Sequence, residues 1–165
     1  MIRKSLFFLG LSASLMLFWG CPYSSDVPLS KPVEKVMPQL LGSWMPENEV
    51  ANENPSYYTI ATYDSTRYAI EHFQYSEESK DYSIKNYIGH TTSLDGFLFM
   101  NLVESGTKQY QMHRIDFTPD GFKLFEVTDN IDEKFDSTEM MQAFFRKHMK
   151  LSFFYNNDEV SLIRK

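Results

Sequence analysis

A mainly β fold is what this sequence of 165 residues predicts: eight antiparallel strands running up and down into a closed barrel, with one amphipathic helix ahead of the last strand. Three observations carry that expectation. From Gly42 onward, β-prone runs alternate with short turn sequences; one stretch near the C-terminus has helical apolar spacing; and a further strand-like run follows it. Short connections make consecutive strands pair antiparallel, as a meander. Eight strands on one chain favour closure, because a closed sheet leaves no unpaired edge.

The expected strands cover residues 42–45, 57–63, 67–75, 81–92, 97–104, 109–117, 122–128 and 159–164. Between them lie Asp64-Ser65-Thr66, the charged Glu77-Glu78-Ser79-Lys80, Leu94-Asp95-Gly96, Ser105-Gly106 and Pro119-Asp120-Gly121. Asp-Gly pairs supply the positive φ that tight hairpins require. Alternation is cleanest over 81–92, where Tyr82, Ile84, Asn86, Ile88 and His90 share one face, opposite Ser83, Lys85, Tyr87 and Gly89. The first of these faces is expected to look into the barrel. Residues 97–103 are apolar on both faces, so that strand should be covered on its outer side as well.

The cover is expected from a helix. Asp136 is placed as its N-cap with Glu139 three residues on, a capping box, and Phe135 and Met140 are spaced as a hydrophobic staple. Met141, Phe144, Phe145 and Met149 then form one apolar stripe at helical spacing. Arg146, Lys147 and Lys150 complement the dipole at the far end.

The start of the chain has a different character. Arg3 and Lys4 precede an apolar run over 5–19. A helix crossing a bilayer needs about 20 apolar residues, so the run suits the apolar region of a signal peptide occupying 1–20. Pro22, Pro28, Pro32 and Pro38 interrupt the polar segment that follows, and proline is excluded from helix interiors and central strands. Residues 21–39 are therefore expected to be a semi-extended tether, and 40–165 the barrel domain.

Loss of residues 1–20 removes Arg3 and Lys4 and no acids, taking the net charge from −6 to −8. So acidic a domain repels nucleic acid, and no nucleic-acid partner is expected. Cys21 is the single cysteine, so the domain has no disulfide and no thiolate metal site. The chain contains no Gly-x-Ser-x-Gly, no phosphate-binding glycine loop and no His-Glu-x-x-His. Its four histidines, His72, His90, His113 and His148, fall in separate elements. Neither catalysis, nor a cofactor, nor a metal is expected.

Phe18-Trp19-Gly20-Cys21 resembles the lipobox of bacterial lipoproteins, carried here by a small residue directly before the cysteine. The resemblance implies acylation of the Cys21 thiol, cleavage before it, and a lipid-anchored protein of the bacterial envelope, on the outer membrane. Leu40-Leu41-Gly42-Ser43-Trp44 is similar to the Gly-x-Trp signature opening the first strand of lipocalins and related calycin barrels. In those families the tryptophan closes one barrel end under a late basic side chain, which implies that Gly42 and Trp44 act with Arg164. The whole layout resembles lipocalin-like lipoproteins of Bacteroides-type bacteria, a resemblance that implies no particular activity.

Fourteen phenylalanines, ten tyrosines and two tryptophans are more than the turns require. An eight-stranded barrel can be filled by side chains or hold one small ligand. If hollow, the expected ligand is hydrophobic or amphipathic, met by Tyr58, Tyr68, Tyr82 and Tyr110 with Asn86 and His90. If filled, the protein is expected to be a non-enzymatic envelope module that binds a partner protein.

Overall fold

The computed structural model describes residues 23–128, 130–157 and 159–165; the segment 1–20 expected to be a signal peptide and Cys21 lie outside the described residues. Nine strands form a single sheet: β1 (Ser24–Ser25), β2 (Gly42–Pro46), β3 (Tyr57–Thr62), β4 (Tyr68–Ser76), β5 (Asp81–Leu94), β6 (Phe97–Glu104), β7 (Tyr110–Phe117), β8 (Gly121–Glu126) and β9 (Val160–Arg164). Strands β2 to β8 pair consecutively, and β9 closes the ring by pairing with both β8 and β2. Every pairing is antiparallel. The expected eight-stranded up-and-down barrel is thus present, with helix α1 (Thr138–His148) before its last strand.

Turn chemistry fixes the hairpins. Asp95 and Gly96 both have positive φ (46° and 86°) and join β5 to β6 with Leu94 opposite Phe97, the geometry of a two-residue primed turn. Gly121 differs from the expectation for an Asp-Gly turn. It stands in β8 without a positive φ, and its glycine is needed because a Cβ there would lie 1.9 Å from the Leu162 carbonyl oxygen.

Two apolar cores flank the barrel wall. The inner one is built from Leu40, Trp44, Ile60, Tyr68, Met100 and Phe122 with their neighbours. The outer one lies between the wall and α1, where Phe99 meets Phe145 edge to face at 5.5 Å, with Leu29, Met112 and Met149 fully or almost fully buried around them. This is why 97–103 is apolar on both sides. The stripe of Met141, Phe145 and Met149 is buried as expected, with Phe144 half-buried beside it.

The helix start is shifted by one residue. Ser137 is the N-cap, its Oγ accepting from the Met140 backbone N–H at 3.3 Å, so no Asp136–Glu139 box forms. Met140 is exposed, and Phe135 packs instead near Phe144 and Tyr23, so the Phe135–Met140 staple is also absent. Serine and aspartate cap about equally well, and the local fit of Phe135 decides between them.

The tether expected over 21–39 is not free chain where it is described. Residues 23–37 run as a strap along the outer wall, from the start of β7 to the far end of the barrel. Strand β1 pairs with Tyr110 and Gln111, beyond the point where β8 leaves β7. Leu29 is fully buried, the Val36 N–H donates to Ser65, and the Met37 N–H donates to the Tyr68 hydroxyl. The strap ends in a short 3-10 turn (Pro38–Leu40) that sets Leu40 into the barrel end.

Candidate functional site

Parity along the strands decides which side chains look inward, and register carries that parity round the ring. Trp44 is opposite Tyr58, Tyr58 opposite His72, and His72 opposite Lys85. Tyr87 and Gly89, on the Lys85 side of β5, therefore face inward. Tyr82, Asn86 and His90 face outward, and the expected inward face of β5 is corrected. Glycine at 89 suits the interior because Leu102, Met100 and Ile70 fill its place, a Cβ there meeting Leu102 Cδ2 and Met100 Sδ at 2.9 Å. The face carrying Tyr82, Ile84, Ile88 and His90 is spent on the outer wall.

At one end the barrel is shut. Trp44 packs edge to face on Phe122 at 4.7 Å, donates its Nε1–H to the Leu40 carbonyl at 2.8 Å, and lies under the Arg164 guanidinium at 3.9 Å. Arg164 also donates to the Leu41 carbonyl. Gly42 has φ of +124°, and a Cβ there would lie 2.1 Å from Arg164 Nη1, so the arginine can cross only a glycine. Gly42, Trp44 and Arg164 thus form one unit, as the sequence resemblance implies.

Above this plug lies a cavity of about 140 Å3. Its floor is apolar and buried: Leu40, Ile60, Ile70, Met100, Phe122 and Leu162. Its upper wall carries Tyr58, His72, Tyr87, Gln111 and His113, half-buried towards the opposite, mouth end. Tyr58 stacks on His72 with ring centroids 4.0 Å apart.

Of the six residues expected to meet a ligand, Tyr58 lines the cavity. Tyr68 is interior but belongs to the plug, its hydroxyl taken by Met37. Tyr82 joins an outer-wall aromatic group with Tyr57, Phe73 and Tyr75, and donates to the Pro55 carbonyl. Asn86 is exposed outside. His90 lies beneath the strap, Nε2 at 2.7 Å from the Ser30 carbonyl oxygen, with Tyr110 edge-on beside it. The cavity residues missed by sequence reasoning are His72, Tyr87, Gln111 and His113. The readable clue was Trp44, whose inward placement passes to Tyr58 and His72 once the hairpin registers are known.

The site is electrically quiet. Burial, helped by Lys85 and opposed by Glu49, lowers the His72 imidazole to about 4. Burial alone lowers His113 to about 4. The Tyr58 phenol is pushed up to about 12, mainly by burial, with Tyr87 and Glu49 adding to the rise. At neutral pH all three are uncharged. Because the unfolded chain binds protons on these histidines near pH 6.5 and the folded chain does not, stability is flat above that pH. It should fall by about 1.4 kcal/mol per pH unit for each imidazole on acidification towards pH 4, then level. Urea melts of the His72→Gln/His113→Gln double variant should show a shallower loss across that window, and a loss as steep as in the parent would refute the assignment.

Among the described residues no group of three or more histidines, cysteines or carboxylates could hold a metal, and no helix is long and apolar enough to cross a membrane. Comparison of the chain with known family models, curated proteins and solved structures gives no match.

Proposed function

We propose that this protein is a lipid-anchored envelope protein whose barrel binds a small hydrophobic or amphipathic molecule and performs no chemistry on it. The observation that supports this most is the cavity, blind at the Trp44 end and lined by apolar side chains below and neutral polar ones above. Its volume is close to the 150 Å3 of an apolar protein cavity that admits benzene, which sets the ligand, or its buried part, at about six carbon atoms.

Anchoring through Cys21 rests on the sequence, and the position of the strap gives it a consequence. Strand β1 pairs with the first two residues of β7, at the mouth end of the barrel. The three residues from Cys21 to Ser24 span at most about 11 Å, so a lipid on Cys21 would hold the barrel close to the membrane, and because β1 runs antiparallel to β7 the chain before Ser24 leads away from the mouth. Two acyl chains are needed for stable attachment, so Cys21→Ala should move the protein from the membrane fraction to the soluble one; a variant still sedimenting with membranes would refute the anchor. Native mass spectrometry of protein released gently from membranes should show an adduct of low mass, lost when Leu102→Trp fills the cavity.

The outer-wall group of Tyr57, Phe73, Tyr75 and Tyr82, beside half-exposed Ile84, favours a second reading in which a partner protein docks there. Tyr82→Glu would abolish that capture and leave the adduct in place.

A further inference from the structure

The upper wall of the cavity carries polar capacity that the fold does not use. Tyr58, His72, Tyr87, Gln111 and His113 all line it, and none of their side chains makes a hydrogen bond to another described residue. Their polar atoms are not fully buried and are left for a guest in the cavity to satisfy, the one fully buried side-chain polar atom without a partner among the described residues being Thr91 Oγ1. Elsewhere in the barrel the Tyr68 hydroxyl is spent on Met37, Trp44 Nε1 on Leu40, and Asn101 on Leu29, His90 and Thr92. The unspent ones are gathered on one level, directly above an apolar floor.

Their chemistry selects a head group. A phenol, a neutral imidazole and a primary amide each offer both a donor and an acceptor. Such a ring is satisfied by a head that also does both. A carboxylate only accepts and an ammonium only donates, and either would leave its charge uncompensated in a half-buried ring above an apolar floor. The charged groups nearest the rim are Lys85 opposite His72, Glu104 opposite Tyr87, and Glu49, which acts on both Tyr58 and His72; the excess of acid disfavours a carboxylate further, and the cost of burying a charge disfavours the ammonium.

Resting on the reading of the barrel as a binder, we propose that the cavity takes a small uncharged amphiphile, such as an alcohol or primary amide. Its tail of about six carbons lies on the Leu40–Phe122 floor, and its head lies within the Tyr58–His72–Gln111–His113 ring.

Calorimetric titration of the purified full-length protein in detergent at pH 8 tests this with hexanol, hexanamide, hexanoate, hexylammonium and benzene. Hexanol and hexanamide should bind at least tenfold more tightly than benzene and than either ion, since one or two added neutral hydrogen bonds amount to about that factor. Gln111→Met and His113→Leu should each weaken hexanamide several-fold and leave benzene unchanged. Ions binding as well as the neutral pair, benzene matching hexanamide, or variants indifferent to hexanamide would overturn the head-group assignment while sparing the cavity as a binding site. Failure of every probe, benzene included, would overturn both.

Discussion

Trp44→Ala should cost about 3–5 kcal/mol of stability, the range for removing a buried large aromatic, and should do so as a loss of barrel closure. The indole is almost fully buried and meets three elements at once: Phe122 of β8 at its edge, Arg164 of β9 over its face, and the Leu40 carbonyl of the incoming turn. Strand β9 is the closing strand, paired with β2 at Trp44–Arg164 and with β8 at Phe122–Leu162. Taking out the indole therefore opens a void at the seam where the ring is completed. Trp44→Phe should retain most of the packing and lose the Nε1–H bond, costing about 1–2 kcal/mol. Arg164→Met should cost about 1 kcal/mol, as a partly exposed cation–π contact is worth 0.5–2. Chemical denaturation of the three variants ranks them, and an alanine variant as stable as the methionine one would show that the plug is not what closes the barrel.

How far the fold was legible depended on where its information is local. Strand ends were readable to within a residue or two because turns are chemical: Asp95-Gly96 adopts the two positive φ values its sequence suits, and the long β5 ends there. The helix was readable from its stripe, while its cap slipped from Asp136 to Ser137 because two good capping residues are adjacent. Inward and outward faces were not readable on β5. A period-2 pattern says which residues share a face and not which face is inside, and here the face carrying Tyr82, Ile84, Ile88 and His90 lies on the outer wall while Gly89 makes room within. Tyr82, Asn86 and His90 were lost to that one ambiguity, and His72, Tyr87, Gln111 and His113 were missed through it.

The strap was misread for a different reason. Four prolines between 22 and 38 deny that segment a regular ladder, and composition alone equates such a segment with a linker. Its backbone groups are satisfied all the same, by side chains distant in sequence. Thr138 Oγ1 donates to the Pro28 carbonyl, Gln142 Nε2 donates to the Leu29 carbonyl, and the Leu29 N–H donates to Asn101 Oδ1 at 2.7 Å. Contacts of 72 to 113 residues' separation leave no trace in a local pattern.

Asn101 is the centre of that arrangement, and Asn101→Leu should be the most disruptive polar substitution in the protein. The side chain is fully buried on the outer face of β6. Its oxygen accepts from Leu29, and its amide donates to the His90 carbonyl at 3.2 Å and to Thr92 Oγ1 at 2.9 Å, with Thr92 passing the network on to Ser30 Oγ. Leucine nearly matches its size, so no large void forms, and the loss isolates the polar part. The Leu29 N–H would be left buried without an acceptor, at about 1–3 kcal/mol, and two further bonds of about 1 kcal/mol each would go. A total of about 3–5 kcal/mol is expected. Its form should differ from that of Trp44→Ala: the barrel stays closed and the strap lifts, taking Leu29 out of the outer core and uncovering the wall at Phe99. Limited proteolysis should then cut within 26–37 far faster than in the parent, while hydrogen exchange of the β3–β5 ladder barely changes. Equal exchange loss throughout the sheet would mean that strap and barrel unfold as one unit, and a stability loss under 1 kcal/mol would mean that apolar packing of Leu29, rather than Asn101, holds the strap down.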